Sequence, residues 1–246
     1  STLNNPLYFT PNVTQWGHSN TSLAQATIPG GAIFINPNGL RILTELPNSI
    51  SQKHQIHHHR GKDTQFVLQH HVTDITFANC NQPKEVLFLE PAPWYENFYL
   101  GNDPQFWKSQ IQPCARIVLK DIYPKIDIHI YFSNNALEFD WVLRPGANPN
   151  EIGLQIDKNS TFALQKNQIV VKTSVGQFQI NAPKAYQKQA RKNKSIPCKY
   201  TTDGNTIGLK IGQYNPELPL TIDPILVFST YSGSQGDNFG FTATYD

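Results

Sequence analysis

The sequence predicts an all-β protein, an antiparallel β-sandwich built as one large body or as two abutting ones. Three observations lead there. Apolar and polar residues alternate, most plainly at Ile126, Ile128 and Ile130 and again at Leu137, Phe139, Trp141 and Leu143. A period of two turns one set inward and the other toward solvent. Proline occurs 18 times in 246 residues, which suits short strands and turns and is hostile to helix interiors. Finally, no helix-length window carries an apolar stripe at helical spacing. The nearest case, Ala182 to Lys194, is polar and holds Pro183.

Along the chain, the polar stretch from Ser1 to Gln25 reads as an extended lead-in anchored by Tyr8, Phe9 and Trp16. Gly30 and Gly31 open a run from Ala32 to Ile35, and the turn signal Asn36 to Gly39 returns it through Leu40 to Leu46. That is a hairpin. The polar residues 47–63 read as an exposed loop, with Phe66 to Phe77 and Val86 to Leu89 as the next strands. An aromatic-rich stretch follows, from Pro91 to Trp107. Within it Gly101 to Pro104 makes a tight turn, and Asp103 caps a short helical turn begun by Pro104.

The alternating segments 126–132 and 137–143 meet across a turn at Ser133 to Asn135, making the clearest hairpin. Further hairpins are expected around Lys166-Asn167 and around Asp203-Gly204, a dipeptide suited to a tight turn. Val175 to Ile180 is another strand. Pro224, which has no N–H to give a ladder, separates strands at 219–223 and 225–231.

Composition narrows the function classes. Hydrophobic residues make up 39% and charged residues 15%, enough apolar surface for a packed core. A net charge of +2 is too small to point to nucleic acid as a partner. No apolar run is long enough to span a membrane. There is no methionine, so the chain is expected to start downstream of a removed segment or to be a trimmed piece of a longer one. Cys80, Cys114 and Cys198 lack the spacing of a metal knuckle or redox motif. One disulfide with a free thiol, or three buried thiols, both remain open.

Several stretches then carry a family resemblance. They are Phe9 to Trp16 (FTPNVTQW), Ile28 to Phe34 (IPGGAIF), Asn97 to Trp107 (NFYLGNDPQFW), Ile122 to Ile128 (IYPKIDI), Phe139 to Pro149 (FDWVLRPGANP) and Ile222 to Tyr231 (IDPILVFSTY). In this order they resemble the N-terminal domain that precedes seven-bladed-propeller-type repeats in large secreted bacterial proteins. The resemblance covers nearly the whole chain. It implies an all-β domain over 1–225 and the opening of a repeat region over 226–246, where Gly233 to Asp237 looks like the opening of the first repeat. It also implies a secreted or cell-surface product, often a type IX secretion substrate, and it offers no catalytic residues to transfer. The histidine-rich stretch is unusual for that family.

The leading expectation is therefore a non-catalytic structural or adhesive module without a cofactor. It would contact other proteins or cell-surface glycans. Carbohydrate binding is the alternative: Trp94, Tyr95 and Trp107 would offer flat faces to sugar rings, though aromatics equally fill β cores and domain seams. His57 and His59 share a face if extended and are the candidate metal ligands, but no Asp, Glu or Cys completes a set. Glu138 and Asp140 lie on one strand face, about 7 Å apart by strand rise. That falls within the roughly 6.5–9.5 Å an inverting glycosidase needs, so a glycan-active enzyme is the third reading. Asp127 with His129 is a similar pair, and alternate polar residues are also what any solvent face shows. The basic run Lys188 to Lys194 reads as a solvated hairpin tip or as a contact for an anionic polymer.

Overall fold

The alternating segments pair as hairpins, and the hairpins stack into two large antiparallel sheets. The computed structural model describes residues 6–17, 20–45, 70–134, 136–189 and 192–229. The first sheet is built from β1 (Thr10–Pro11), β2 (Ala24–Ile28), β3 (Gly31–Asn36), β4 (Gly39–Glu45) and β5 (His70–Phe77), continued by β12 (Leu154–Ile156), β19 (Thr206–Ile211) and β18 (Cys198–Asp203). The second runs β13 (Thr161–Gln165), β14 (Gln168–Thr173), β15 (Gly176–Ile180), β21 (Ile225–Ser229), β11 (Ala136–Leu143), β10 (Ile126–Ser133), β9 (Cys114–Tyr123) and β6 (Glu85–Pro91). Beside β11 it also carries β20 (Leu220–Asp223), β16 (Lys184–Gln189) and β17 (Lys192–Ile196). A small flap, β7 (Glu96–Phe98) and β8 (Lys108–Ile111), stands apart. Among the described residues the only helical elements are single 3₁₀ turns at Pro104–Phe106 and Pro149–Glu151.

The hairpin of β10 and β11 sits inside the larger sheet, in the register Ile128 with Trp141 and Ile130 with Phe139. Its apolar set faces inward: Ile126, Ile128, Ile130, Leu137, Phe139, Trp141 and Leu143 are all buried. From the other sheet come Ile33, Ile35, Ile42, Ile75 and Phe77, in the same hydrophobic cluster. Phe77 meets Trp141 edge to face at 5.1 Å. One core shared by two sheets makes this one large sandwich rather than two abutting ones.

Local chemistry explains several joints. Asn36 pairs with Gly39 across the first hairpin turn. Lys166 and Asn167 both have positive φ, at 47° and 62°, the twist that a two-residue hairpin loop requires. Gly31 is needed for another reason: a Cβ there would lie 1.9 Å from the carbonyl oxygen of Leu43 on the paired strand. Phe9, expected only to anchor a lead-in, is fully buried and stacks on Phe132 at 4.8 Å. Pro11 sits on edge strand β1, where its missing N–H costs no ladder bond. The polar stretch after Pro183 is the hairpin of β16 and β17, whose Lys188, Lys192 and Lys194 are exposed.

β21 is an inner strand of the large sheet. It lies between β15 and β11 and pairs with both. Of residues 226–246, expected to open the repeat region, 226–229 lie in β21 and 230–246 lie outside the described residues.

Candidate functional site

The aromatic-rich stretch folds around the flap, and four of its rings are exposed while Phe98 and Phe106 are half-buried. Asp103 caps the expected turn, its Oδ1 accepting from the Gln105 backbone N–H at 3.1 Å. Trp94 is 43% exposed, Tyr95 60%, Tyr99 62%, Leu100 57% and Trp107 44%. The rings form separate pairs rather than one continuous platform. Trp94 packs edge to face with Tyr8 at 4.8 Å, and Trp107 with Tyr99 at 6.1 Å. The Trp107 indole N–H donates to the Gly101 carbonyl at 3.1 Å, fixing its plane.

A groove of about 360 Å³ runs between the flap and the edge of the first sheet. Its floor is the outward face of β2. Ala24, Ala26 and Ile28 are buried, so the alternation turns Gln25 and Thr27 out. One wall is a tether, in which the Thr10 hydroxyl donates to Glu96 Oε2 at 2.7 Å. The other is Trp16 against Phe98, edge to face at 6.2 Å. Asn97 completes the lining. Its Oδ1 accepts from the Gln110 backbone N–H at 2.9 Å, and its NH₂ makes no hydrogen bond among the described residues.

The outer face of the large sheet gathers carboxyl groups. Glu138 and Asp140 share it, as alternation requires, and Asp223 joins them by continuing the β11–β20 register that pairs Trp141 with Ile222. Tyr131 donates to Asp140 Oδ2 at 3.0 Å. Asp140 Oδ1 and Asp223 Oδ1 are buried with no hydrogen-bond partner among the described residues. Burial, and then the neighbouring Asp223, push the Asp140 carboxyl up to about 6. Burial followed by Glu138 raises Asp223 as well. His129, opposite Asp140, is held below its ordinary value by burial and then by Arg116. Arg116 lies over the Tyr131 ring at 4.1 Å and pairs with Glu90 at 3.0 Å.

Asp127 departs from the expected solvent face. A register shift between Ile126 and Ile128 marks an irregularity in the β9–β10 ladder, and the Asp127 side chain is only 4% exposed. Its Oδ1 accepts from the Asp121 backbone N–H at 2.9 Å, and its Oδ2 from Lys120 Nζ at 2.5 Å. Arg144 lies 3.8 Å away and also pairs with Asp121, which Lys84 reaches at 3.3 Å. This carboxylate pins an irregular turn and is not placed to meet a ligand.

His71 carries a second buried network, which sequence reasoning missed. Its Nδ1 accepts from the Ser174 backbone N–H at 3.2 Å and lies 2.9 Å from the Ser174 hydroxyl. The proton therefore sits on Nε2, which donates to Ser160 Oγ at 3.0 Å. Ser160 Oγ is 2.8 Å from Thr73 Oγ1. In this tautomer the imidazole cannot take a proton from Ser160, so the pair is a strut between the two sheets and not a nucleophile with its base. Replacing His71 by alanine takes the acceptor from the Ser174 backbone N–H and one of two partners from the buried Ser160 hydroxyl, which keeps only Thr73. A loss of about 2 kcal/mol in a urea unfolding titration is expected, and Ser160→Ala should cost less in the His71→Ala background than in wild type, because the two side chains share one network.

His57 and His59 lie outside the described residues, and no metal-ligating cluster occurs among the described ones. The three cysteines are unpaired. Burial pushes Cys114 up to about 12 and Cys198 up to about 11, so both are poor nucleophiles.

A family model described as Domain of unknown function (DUF7948) matches residues 9–225. No curated protein and no solved structure matches the chain.

Proposed function

The chain belongs to the family of that domain of unknown function, and on that footing we propose that it is a non-catalytic adhesive module of an exported bacterial surface protein, making its contacts through the aromatic flap. The observation that carries this is the exposure of Trp94, Tyr95, Tyr99, Leu100 and Trp107 within one short stretch. A domain with a well-filled core has no folding reason to leave so many large apolar side chains in water, and such groups mark contact surfaces. The order of the motifs from Phe9 to Tyr231 supports the surface setting, with repeats following residue 225. Two further features favour binding over turnover. The Glu138 and Asp140 carboxyls lie on a sheet face, and the Ser160–His71 pair is locked in a tautomer that cannot activate the hydroxyl.

Retention of the purified chain on whole bacterial cells tests this reading. A Trp94→Ala/Trp107→Ala variant is expected to be retained at least ten-fold less than wild type. Should the indoles prove necessary for folding, Tyr95→Ser/Tyr99→Ser, at more exposed positions, should show the same direction. Equal retention of a folded variant, or no retention of wild type, overturns the proposal.

A further inference from the structure

We propose that the groove between β2 and the flap is a binding site for a neutral saccharide chain. This rests on the adhesive reading and narrows it to one ligand class and one set of residues. The groove's volume, about 360 Å³, falls in the range of small-molecule sites. Its chemistry then selects what enters.

Charge comes first. No Lys, Arg or His lies among the described lining residues, so nothing there would repay the desolvation of a phosphate, sulfate or carboxylate. The one carboxylate, Glu96, already accepts the Thr10 hydroxyl. A single engaged carboxylate is a weak attraction for a cation and a good acceptor for a hydroxyl. The remaining polar groups are neutral. Among the described residues the side chains of Gln25 and Thr27 make no hydrogen bond, and Asn97 keeps its NH₂ for a ligand. Amides and hydroxyls that both donate and accept match the hydroxyls of a sugar ring, which do the same. Trp16 and Phe98 supply the apolar contact that a sugar's C–H face requires.

The geometry is set before any ligand arrives. Gln25 and Thr27 project from one face of a strand paired with β3, so their spacing is fixed by the ladder. The Thr10–Glu96 bond ties the flap to the sheet edge. Such preorganisation lowers the ordering cost of binding. Beyond the groove, the exposed rings of Tyr99 and Trp107 extend the apolar surface along the same flap.

The test is binding of the purified chain to a panel of immobilised oligosaccharides, neutral hexose and N-acetylhexosamine chains beside sulfated and sialylated ones. At least one neutral chain should bind, and affinity should fall ten-fold or more in Gln25→Ala/Thr27→Ala and in Glu96→Gln. The first pair changes solvent-facing positions of a strand, so an unchanged melting temperature is expected and serves as the folding control. Binding only to the anionic chains, or neutral binding indifferent to all three substitutions, overturns the assignment. So does failure to bind any chain while retention on cells still depends on Trp94 and Trp107, which leaves the adhesive reading standing with a protein partner.

Discussion

Asp127→Ala is expected to lower the stability of the domain by about 3 kcal/mol. The carboxylate is almost fully buried and accepts from both Lys120 Nζ and the Asp121 backbone N–H. Removing it leaves that amide without its acceptor where the β9–β10 ladder is irregular, and leaves Lys120 and Arg144 without their shared anion. Breaking a buried pair from one side costs roughly 3–5 kcal/mol. The lower end applies because Lys120 and Arg144 are partly exposed, at 31% and 41%, and can rehydrate. Asp127→Asn keeps an acceptor for the Asp121 N–H and should lose less. Urea titrations of the three proteins at neutral pH measure this. A loss under 1 kcal/mol for alanine, or equal losses for alanine and asparagine, shows that the carboxylate does not pin the turn.

The second large effect is a dependence of stability on pH that Asp140→Asn removes. The folded Asp140 carboxyl titrates near 6 against 3.8 when unfolded. A raised carboxyl means that the fold holds a proton the unfolded chain has released. Its contribution is therefore at full strength in acid, falls as pH climbs from 3.8, and levels off above about 6. At 1.36 kcal/mol for each pH unit the full difference corresponds to about 3 kcal/mol, and because the carboxyl keeps partial contact with solvent a loss of about 2 kcal/mol is expected across that window. Asp223, raised for the same reason, adds to the trend. His129 opposes it: burial holds the imidazole neutral, so its contribution grows as pH rises toward 6.5. Comparison with Asp140→Asn separates the two, because Asp140 is not among the charges that shift His129. Asparagine keeps an acceptor for Tyr131 and puts an NH₂ toward Asp223. The variant should be about 1–2 kcal/mol more stable than wild type at pH 8 and nearly equal to it at pH 4. Parallel pH profiles for the two proteins rule out this account.

What could be read from sequence was local. The hairpin from Ile126 to Leu143 was legible because its register follows from alternation and one turn, and the structure pairs Ile130 with Phe139 accordingly. The Asp103 cap and the turns at Asn36 to Gly39 and Asp203-Gly204 were legible for the same reason. What stayed hidden joins residues far apart in the chain. Thr10 reaches Glu96, His71 reaches Ser160 and Ser174, and Asp223 comes to lie beside Asp140. Period-two patterning says which way a side chain points, not what lies across from it. It also fails where the ladder is irregular, as at Asp127. The aromatic stretch was ambiguous for a further reason. Composition cannot separate a ring buried in a seam from one left in water, and only the placement of the flap shows Trp94 and Trp107 exposed. Trp16 and Gln25 were missed as lining residues because nothing nearby in sequence links them to Phe98 and Asn97.

The position of β21 bears on how the molecule comes together. It slots between β15 and β11, both made well before it. Until it arrives the large sheet is two separate fragments, each with a raw hydrogen-bonding edge beside its apolar face. Such edges recruit strands from other chains. During vectorial synthesis, the late arrival of residues 225–229 would keep the chain from closing prematurely. The same delay makes that interval the one in which a chaperone has most to protect.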